Sequence, residues 1–413
     1  MSPTTSSSSL ASEIRSSVTI ASSSSQESTS SSSMAVAWRY FGADHPSIRT
    51  TGRAKQSDLK APVLAWSGST FQIAFTGTAA RIRLSALGSV FNVLVDEDTI
   101  PRAILDLSEN FDTVHTLVEN LPLGPHSVTV FKRTESQYGA ATFRGFEILG
   151  NSQLLDLPAR PSRRIEFIGS SITCGYGNLD SVKENPFKIT TEDFYFSYAA
   201  RTARNLNAEF HTVCHSGRGI SRNNTNGTEG TIPTLWPLIS SQETSPWDFS
   251  AWIPDVVSLH ISTNDFSKSI PDWATYTSAT VQFILDIRSK YPNATILLLV
   301  GPRLSDDYPL ATTADFVRYP IDSTGYPSAY MKQKINSSTG DTTYTYKSLT
   351  TCKRYIDDVL EVLASDGEKK VFQLSIPDRG ASMGYGADYH PTAREHAAIA
   401  NNLTSEIKTR MGW

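Results

Sequence analysis

The chain has 413 residues, 39% hydrophobic and 19% charged, with a formal net charge of −4. That length predicts two domains with sizeable cores, and the charge gives no reason to expect nucleic acid or another polyanion as partner. No stretch approaches the roughly 20 apolar residues of a membrane helix.

Residues 1–35 read as a Ser-rich disordered tail. Hydroxylated residues dominate it, and such a segment cannot bury enough apolar surface to offset its ordering entropy. It has no apolar run long enough for a secretory signal, which points to the cytoplasm. Sequons at Asn223, Asn226, Asn293, Asn336 and Asn402 point to secretion instead. Both readings stay open. Cys174, Cys214 and Cys352 are scattered and odd in number, so they form no disulfide framework, show no zinc spacing, and leave at least one thiol free in a monomer.

Residues 36–156 show short alternating runs such as "TFQIAFTG", "ARIRLSAL" and "HSVTVFKRT", separated by turn-forming residues. Many short strands without helical stretches predict a jelly-roll-like β-sandwich. A Pro-rich linker, "LPARPSRR", follows.

From 163 to 413 the texture changes. Apolar strands ("RIEFIG", "EFHTVCHSG", "VVSLHIS", "ATILLLVG") alternate with helical stretches ("FYFSYAARTARNLN", "ATYTSATVQFILDIRSKYP"). This alternation predicts an α/β/α domain with a parallel sheet, whose ligands sit beyond the carboxyl ends of the strands. Those ends carry small or polar clusters: "GSS", "HSGRG", "STND" and "GPR". An acyl-transfer site needs a nucleophile, a base, a group that orients the base and donors for the oxyanion. Ser170 and Ser171 are the candidate nucleophiles. Gly217 offers an unobstructed backbone N–H, and Asn264 a side-chain amide. Asp388 and His390 precede a C-terminal helix.

The four blocks "IEFIGSSITCGYGN", "SGRGISRN", "STNDFS" and "DYHP" resemble the SGNH (GDSL-type) hydrolases, and more narrowly carbohydrate esterase family 2. The segment "FKRTESQYGAATFRGFEIL" resembles the end of that family's N-terminal domain. The resemblance implies a jelly-roll joined to an SGNH domain that deacetylates xylan or related glycans. It makes Ser171 the nucleophile and His390 the base, with Asp388 as its orienting carboxylate. The oxyanion hole would be the Ser171 and Gly217 N–H groups with the Asn264 amide. Two residues depart from the pattern: Ser170 stands where Asp is usual, and Ser262 where Gly is usual. Asp388 lies two residues before the histidine rather than three. Family 2 shares that spacing, and there a backbone carbonyl sometimes replaces the carboxylate.

The expected activity is metal-independent removal of acetyl groups from a carbohydrate, without a cofactor, by a monomer. Alternatives are an esterase for lipid or small esters, or a catalytically weakened glycan-binding protein. His211, Cys214 and His215 fall on different faces of a strand, which argues against a metal site. His260 reads as a core histidine. Residues 303–347 read as a long Tyr-rich loop near the cleft, whose tyrosines (Tyr308, Tyr319, Tyr326, Tyr330) either stack on sugar rings or cover the sheet.

Overall fold

The computed structural model describes residues 37–413 apart from Gln56 and Ile261, so the Ser-rich tail lies outside the described residues. Residues up to Leu155 build two antiparallel sheets. In the first the order is Ala54–Lys55, Val63–Leu64, Ala141–Leu149, Ala80–Ser85 and Val114–Val118, and Trp38–Gly42 also pairs with Ala141–Leu149. In the second the order is Gln153–Leu155, Thr70–Gly77, Gly124–Lys132, Ser89–Val95 and Ala103–Leu107, with Arg49–Thr51 added on Thr70–Gly77. Ala80–Ser85 alternates strictly between buried and half-buried positions, as a strand with one core face must. Phe71, Ile73, Ile82, Phe91, Phe143 and Phe146 fill the space between the sheets. This is the expected β-sandwich.

The second half carries a five-stranded parallel sheet. Its order is Ala208–Cys214, Arg163–Gly169, Val256–His260, Thr295–Val300, Val371–Ser375. In chain order that is 2-1-3-4-5, so the connections reverse direction beside the first strand, where doubly wound sheets open a crevice. Thr295–Val300 is buried at every position because helices cover both faces. On one face Ile296, Leu298 and Val300 meet Phe283 of helix Trp273–Lys290 and Ile356 of helix Ser348–Ser365. On the other, Leu297 and Leu299 meet Ala200 of Tyr198–Asn205 and Leu403 of Ala393–Met411. No helix among the described residues is long and apolar enough to cross a membrane.

The two halves meet through buried polar contacts. Arg53 of the sandwich pairs with Glu166 of the strand Arg163–Gly169 at 2.6 Å, both side chains fully buried. Asn92 donates to both carboxylate oxygens of Asp193 at 2.9 and 3.0 Å. Residues 37–413 form one compact unit.

The 303–347 segment differs from the expected loop. Leu310–Ala311, Thr342–Tyr346 and Met331–Ile335 pair as a small antiparallel sheet. Tyr319 is buried, and its hydroxyl donates to the Ile270 carbonyl at 3.0 Å. Tyr326 and Tyr330 are half-buried against the same core. Three of the four tyrosines therefore cover the domain, and Tyr308 alone is largely exposed.

Candidate active site

Each strand of the switch region ends in a turn that its sequence requires. At Gly169 a Cβ would lie 2.0 Å from Thr173 Oγ1 and 2.7 Å from the His260 carbonyl oxygen, so no side chain fits. Ser170 then adopts a non-helical conformation (φ −113°, ψ −149°), and Ser171 opens the helical turn Ser171–Cys174. Backbone N–H groups in a first turn have no intrahelical acceptor, which leaves that of Ser171 available.

After Ala208–Cys214 the chain turns through Gly217 at φ +78°, in the left-handed region that glycine enters without strain. A Cβ there would also approach Asn224 Oδ1 to 3.1 Å. Among the described residues the Gly217 N–H has no hydrogen-bond partner. Asn264 follows the third strand. Its amide donates to the Arg218 carbonyl at 2.7 Å, and the second N–H of that amide remains. Ser171, Gly217, Asn264, Asp388 and His390 all line one cleft of about 520 Å³, joined by Gln137 and Tyr138 from the sandwich.

His390 Nε2 lies 2.8 Å from Ser171 Oγ. Its Nδ1 lies 3.2 Å from the Ala387 carbonyl oxygen and 3.1 Å from that of Asp388. Both carbonyls only accept, so the ring proton sits on Nδ1 and the Nε2 lone pair faces the serine hydroxyl. Burial, with Arg303 nearby, pushes the imidazole down to about 4, so it is the neutral base over most of the pH range. Ser170 supplies no side-chain cap to the turn and has no such histidine contact.

The expectation that the Asp388 carboxylate orients His390 needs correction. That carboxylate accepts from the Tyr176 hydroxyl at 2.7 Å and the Phe187 N–H at 3.3 Å. The cause is backbone conformation. Asp388 and Tyr389 both have positive φ (49° and 61°), a rare pair of left-handed residues. This turn delivers the carbonyls of 387 and 388 to the ring and swings the side chain toward Tyr176. Asp388 therefore contacts the base through its main chain.

Two supports escaped sequence reasoning. The Tyr176 ring lies against His390, centroids 4.4 Å apart, while its hydroxyl anchors Asp388. Asp265, fully buried, accepts from the backbone N–H groups of Ile220, Ser221 and Arg222 at 3.0, 2.8 and 3.0 Å. It thereby fastens the loop after Gly217 to the turn that carries Asn264. Its place beside Asn264 in "STND" was the available signal. Ser262 has φ +96°, which accounts for glycine being usual at this position, and its hydroxyl lies 2.5 Å from the buried Tyr276 hydroxyl. Cys174 and Cys214, the last residues of the nucleophile turn and of the strand before the Gly217 loop, form a disulfide with Cα atoms 5.7 Å apart. Cys352 is free and buried. His211 stacks on Trp252 at 3.9 Å, and His260 is buried in the sheet.

Residues 50–158 match the carbohydrate esterase 2 N-terminal model, and residues 167–398 the GDSL-like lipase/acylhydrolase family. The solved structure of a family two carbohydrate esterase from Clostridium thermocellum in complex with cellohexaose superposes with a TM-score of 0.74 at 32% identity, covering 89% of this chain and 99% of that one. The chain belongs to carbohydrate esterase family 2. Cellulase/esterase CelE of Acetivibrio thermocellus is 34% identical over 371 residues, 90% of this chain. This chain spans only 40% of the length of that relative. An acetylxylan esterase / glucomannan deacetylase of Cellvibrio japonicus is 27% identical over 376 residues, 90% of this chain and 91% of that protein.

Proposed function

We propose that this family 2 chain is a serine esterase that removes acetyl groups from a plant-type glycan such as xylan or glucomannan, acting as a monomer. Residues 163–413 form the catalytic domain and 36–156 the sandwich that walls its cleft. The observation that carries this reading is the 2.8 Å contact between His390 Nε2 and Ser171 Oγ, with Nδ1 held by two carbonyls.

Ser171 Oγ attacks the acetyl carbonyl carbon as its proton passes to His390 Nε2. The developing oxyanion takes the N–H groups of Ser171 and Gly217 and the free amide N–H of Asn264. The imidazolium is stabilised by the Ala387 and Asp388 carbonyls at Nδ1, and it returns the proton to the leaving sugar hydroxyl. Water, deprotonated by the same nitrogen, attacks the acetyl-enzyme and releases acetate. The polar lining of the cleft (Gln137, Arg218, Asn223, Asn224, Thr225) suits sugar hydroxyls better than an acyl chain, which favours carbohydrate over lipid esters. A complete nucleophile–base pair argues against a pure binding protein.

The test is acetate release from acetylated xylan and acetylated glucomannan, compared with a long-chain p-nitrophenyl ester. Ser171-dependent release from the glycans with little long-chain hydrolysis is expected. A preference for the long-chain ester would overturn the substrate class.

A further inference from the structure

The segment "KRTE", residues 132–135, belongs to the sandwich yet is more than 98% buried at every position. Lys132 Nζ donates to the Thr134 and Glu135 carbonyls at 2.7 and 3.2 Å, which folds the segment into a tight plug. Arg133 donates to the carbonyls of Glu192 and Thr190 and pairs with Asp193 at 3.3 Å, which docks the plug on the catalytic domain. Burying this much charge at a domain junction is costly where apolar packing would serve for adhesion alone.

Glu135 faces the catalytic machinery. Its carboxylate accepts from the Ser216 N–H at 2.6 Å and from the Ser216 hydroxyl on its second oxygen, and Gln137 Nε2 donates to it at 3.2 Å. Ser216 directly precedes Gly217. On the far side of the loop, the Asn224 N–H donates to the Gly217 carbonyl at 2.9 Å. The peptide units on either side of the one carrying the Gly217 N–H are therefore both held, the sandwich side by a bidentate carboxylate on Ser216. His215 Nδ1 lies 3.0 Å from the Ser216 carbonyl oxygen of that unit itself. Left-handed glycine is the most permissive residue of the chain. Without the Glu135 bonds the Ser216 backbone entering that unit loses its sandwich-side anchor and the Gly217 N–H gains freedom to tilt, and an oxyanion donor works through being fixed before the charge develops.

We propose that Glu135 is a positioning residue for the oxyanion hole, so that the N-terminal sandwich supplies part of the active-site framework of the catalytic domain. This rests on the esterase reading above. The carboxylate touches no substrate. It acts through Ser216 on the orientation of the Gly217 N–H.

The experiment compares Glu135→Gln, Ser216→Ala and Arg53→Met in the full chain. The readouts are kcat and KM for p-nitrophenyl acetate, the Ki of a small boronic acid, and Tm. A boronate adduct on Ser171 places an oxygen in the oxyanion hole, so its affinity reports the hole directly. Losing one oxyanion donor outright costs about 10²–10³-fold, and Glu135→Gln, which misaligns it, should lower kcat about 10–100-fold. KM should stay within about threefold, and the boronate Ki should rise in proportion to the fall in kcat. Ser216→Ala removes one of the two bonds and should give a smaller change in the same direction. Arg53→Met disturbs the same junction away from Ser216, and should lower Tm without shifting kcat or Ki. An unchanged boronate Ki in folded Glu135→Gln overturns the proposal, as does an equal kcat loss in Arg53→Met. If Glu135→Gln does not fold, an unchanged Ki in Ser216→Ala refutes it. Absence of Ser171-dependent turnover in the wild type is a separate result, and it would sink the esterase reading itself.

Discussion

Replacing Asp388 by Asn separates a main-chain role from a triad role. In a triad, the carboxylate-to-amide change stabilises the wrong histidine tautomer and costs about 10⁴ in kcat. Here His390 Nδ1 meets the Ala387 and Asp388 carbonyls, which the substitution leaves in place. What changes is the acceptor for the Tyr176 hydroxyl, now 2.7 Å from a carboxylate oxygen. An amide oxygen still accepts that bond, but a neutral one is weaker than a charge-assisted one by about 1 kcal/mol. If that whole difference fell on the transition state, the rate would drop about fivefold. Asn also tolerates the left-handed φ of 49° that position 388 requires. Asp388→Ala loses both side-chain bonds and adds about 1 kcal/mol of backbone strain, so about 10–30-fold is expected. His390→Ala removes the base and should cost about 10⁴-fold or more. The assay is kcat for p-nitrophenyl acetate, with circular dichroism to verify folding. A loss of about 10³ or more in folded Asp388→Asn would refute the main-chain account.

Asn264→Ala should lower kcat by about 10²–10³-fold with KM little changed; a KM effect alone would show ground-state binding instead. Because burial holds His390 neutral down to about 4, kcat/KM should stay level through pH 6 and 5 and fall only as pH approaches 4; an acid midpoint near 6.5 would contradict this. Stability carries the same sign. His260, also pushed down to about 4 by burial, and His390 are neutral when folded and charged when unfolded below pH 6.5, so stability declines from there toward pH 4, and urea titrations at several pH values measure it. Arg53→Ala leaves the Glu166 charge buried and unpaired and should cost about 3–5 kcal/mol in chemical denaturation. Ser170→Asp puts a preferred N-cap residue before the nucleophile turn, which has no side-chain cap; kcat should be kept or raised, and a folded but dead variant would show that the turn has diverged.

The site residues were legible because parallel sheets gather function at strand ends. Ser171, Gly217 and Asn264 follow three adjacent strands, and each cluster is visible as a break in an apolar run. The strand patterns also separate the sandwich from the α/β/α layers. Backbone conformation was less legible. Nothing in "GADYHP" announces two successive left-handed residues, and those decide that Asp388 serves the base through its carbonyl. Contacts distant in sequence were hidden too. Glu135 reaches Ser216 across 81 residues, and Cys174 finds Cys214 across 40. The 303–347 segment reads as a loop because its strands are short and polar, one rich in Lys and one in Thr and Tyr, with buried apolar side chains on the longer two only at Met331 and Tyr346.

The central claim is that Ser171, and not its neighbour, is the nucleophile activated by His390. A fluorophosphonate probe followed by peptide mass mapping tests it most directly. The account predicts one adduct per chain, located on Ser171, with labelling lost in Ser171→Ala and His390→Ala and kept in Ser170→Ala. An adduct on Ser170, or full esterase activity in Ser171→Ala, would contradict it.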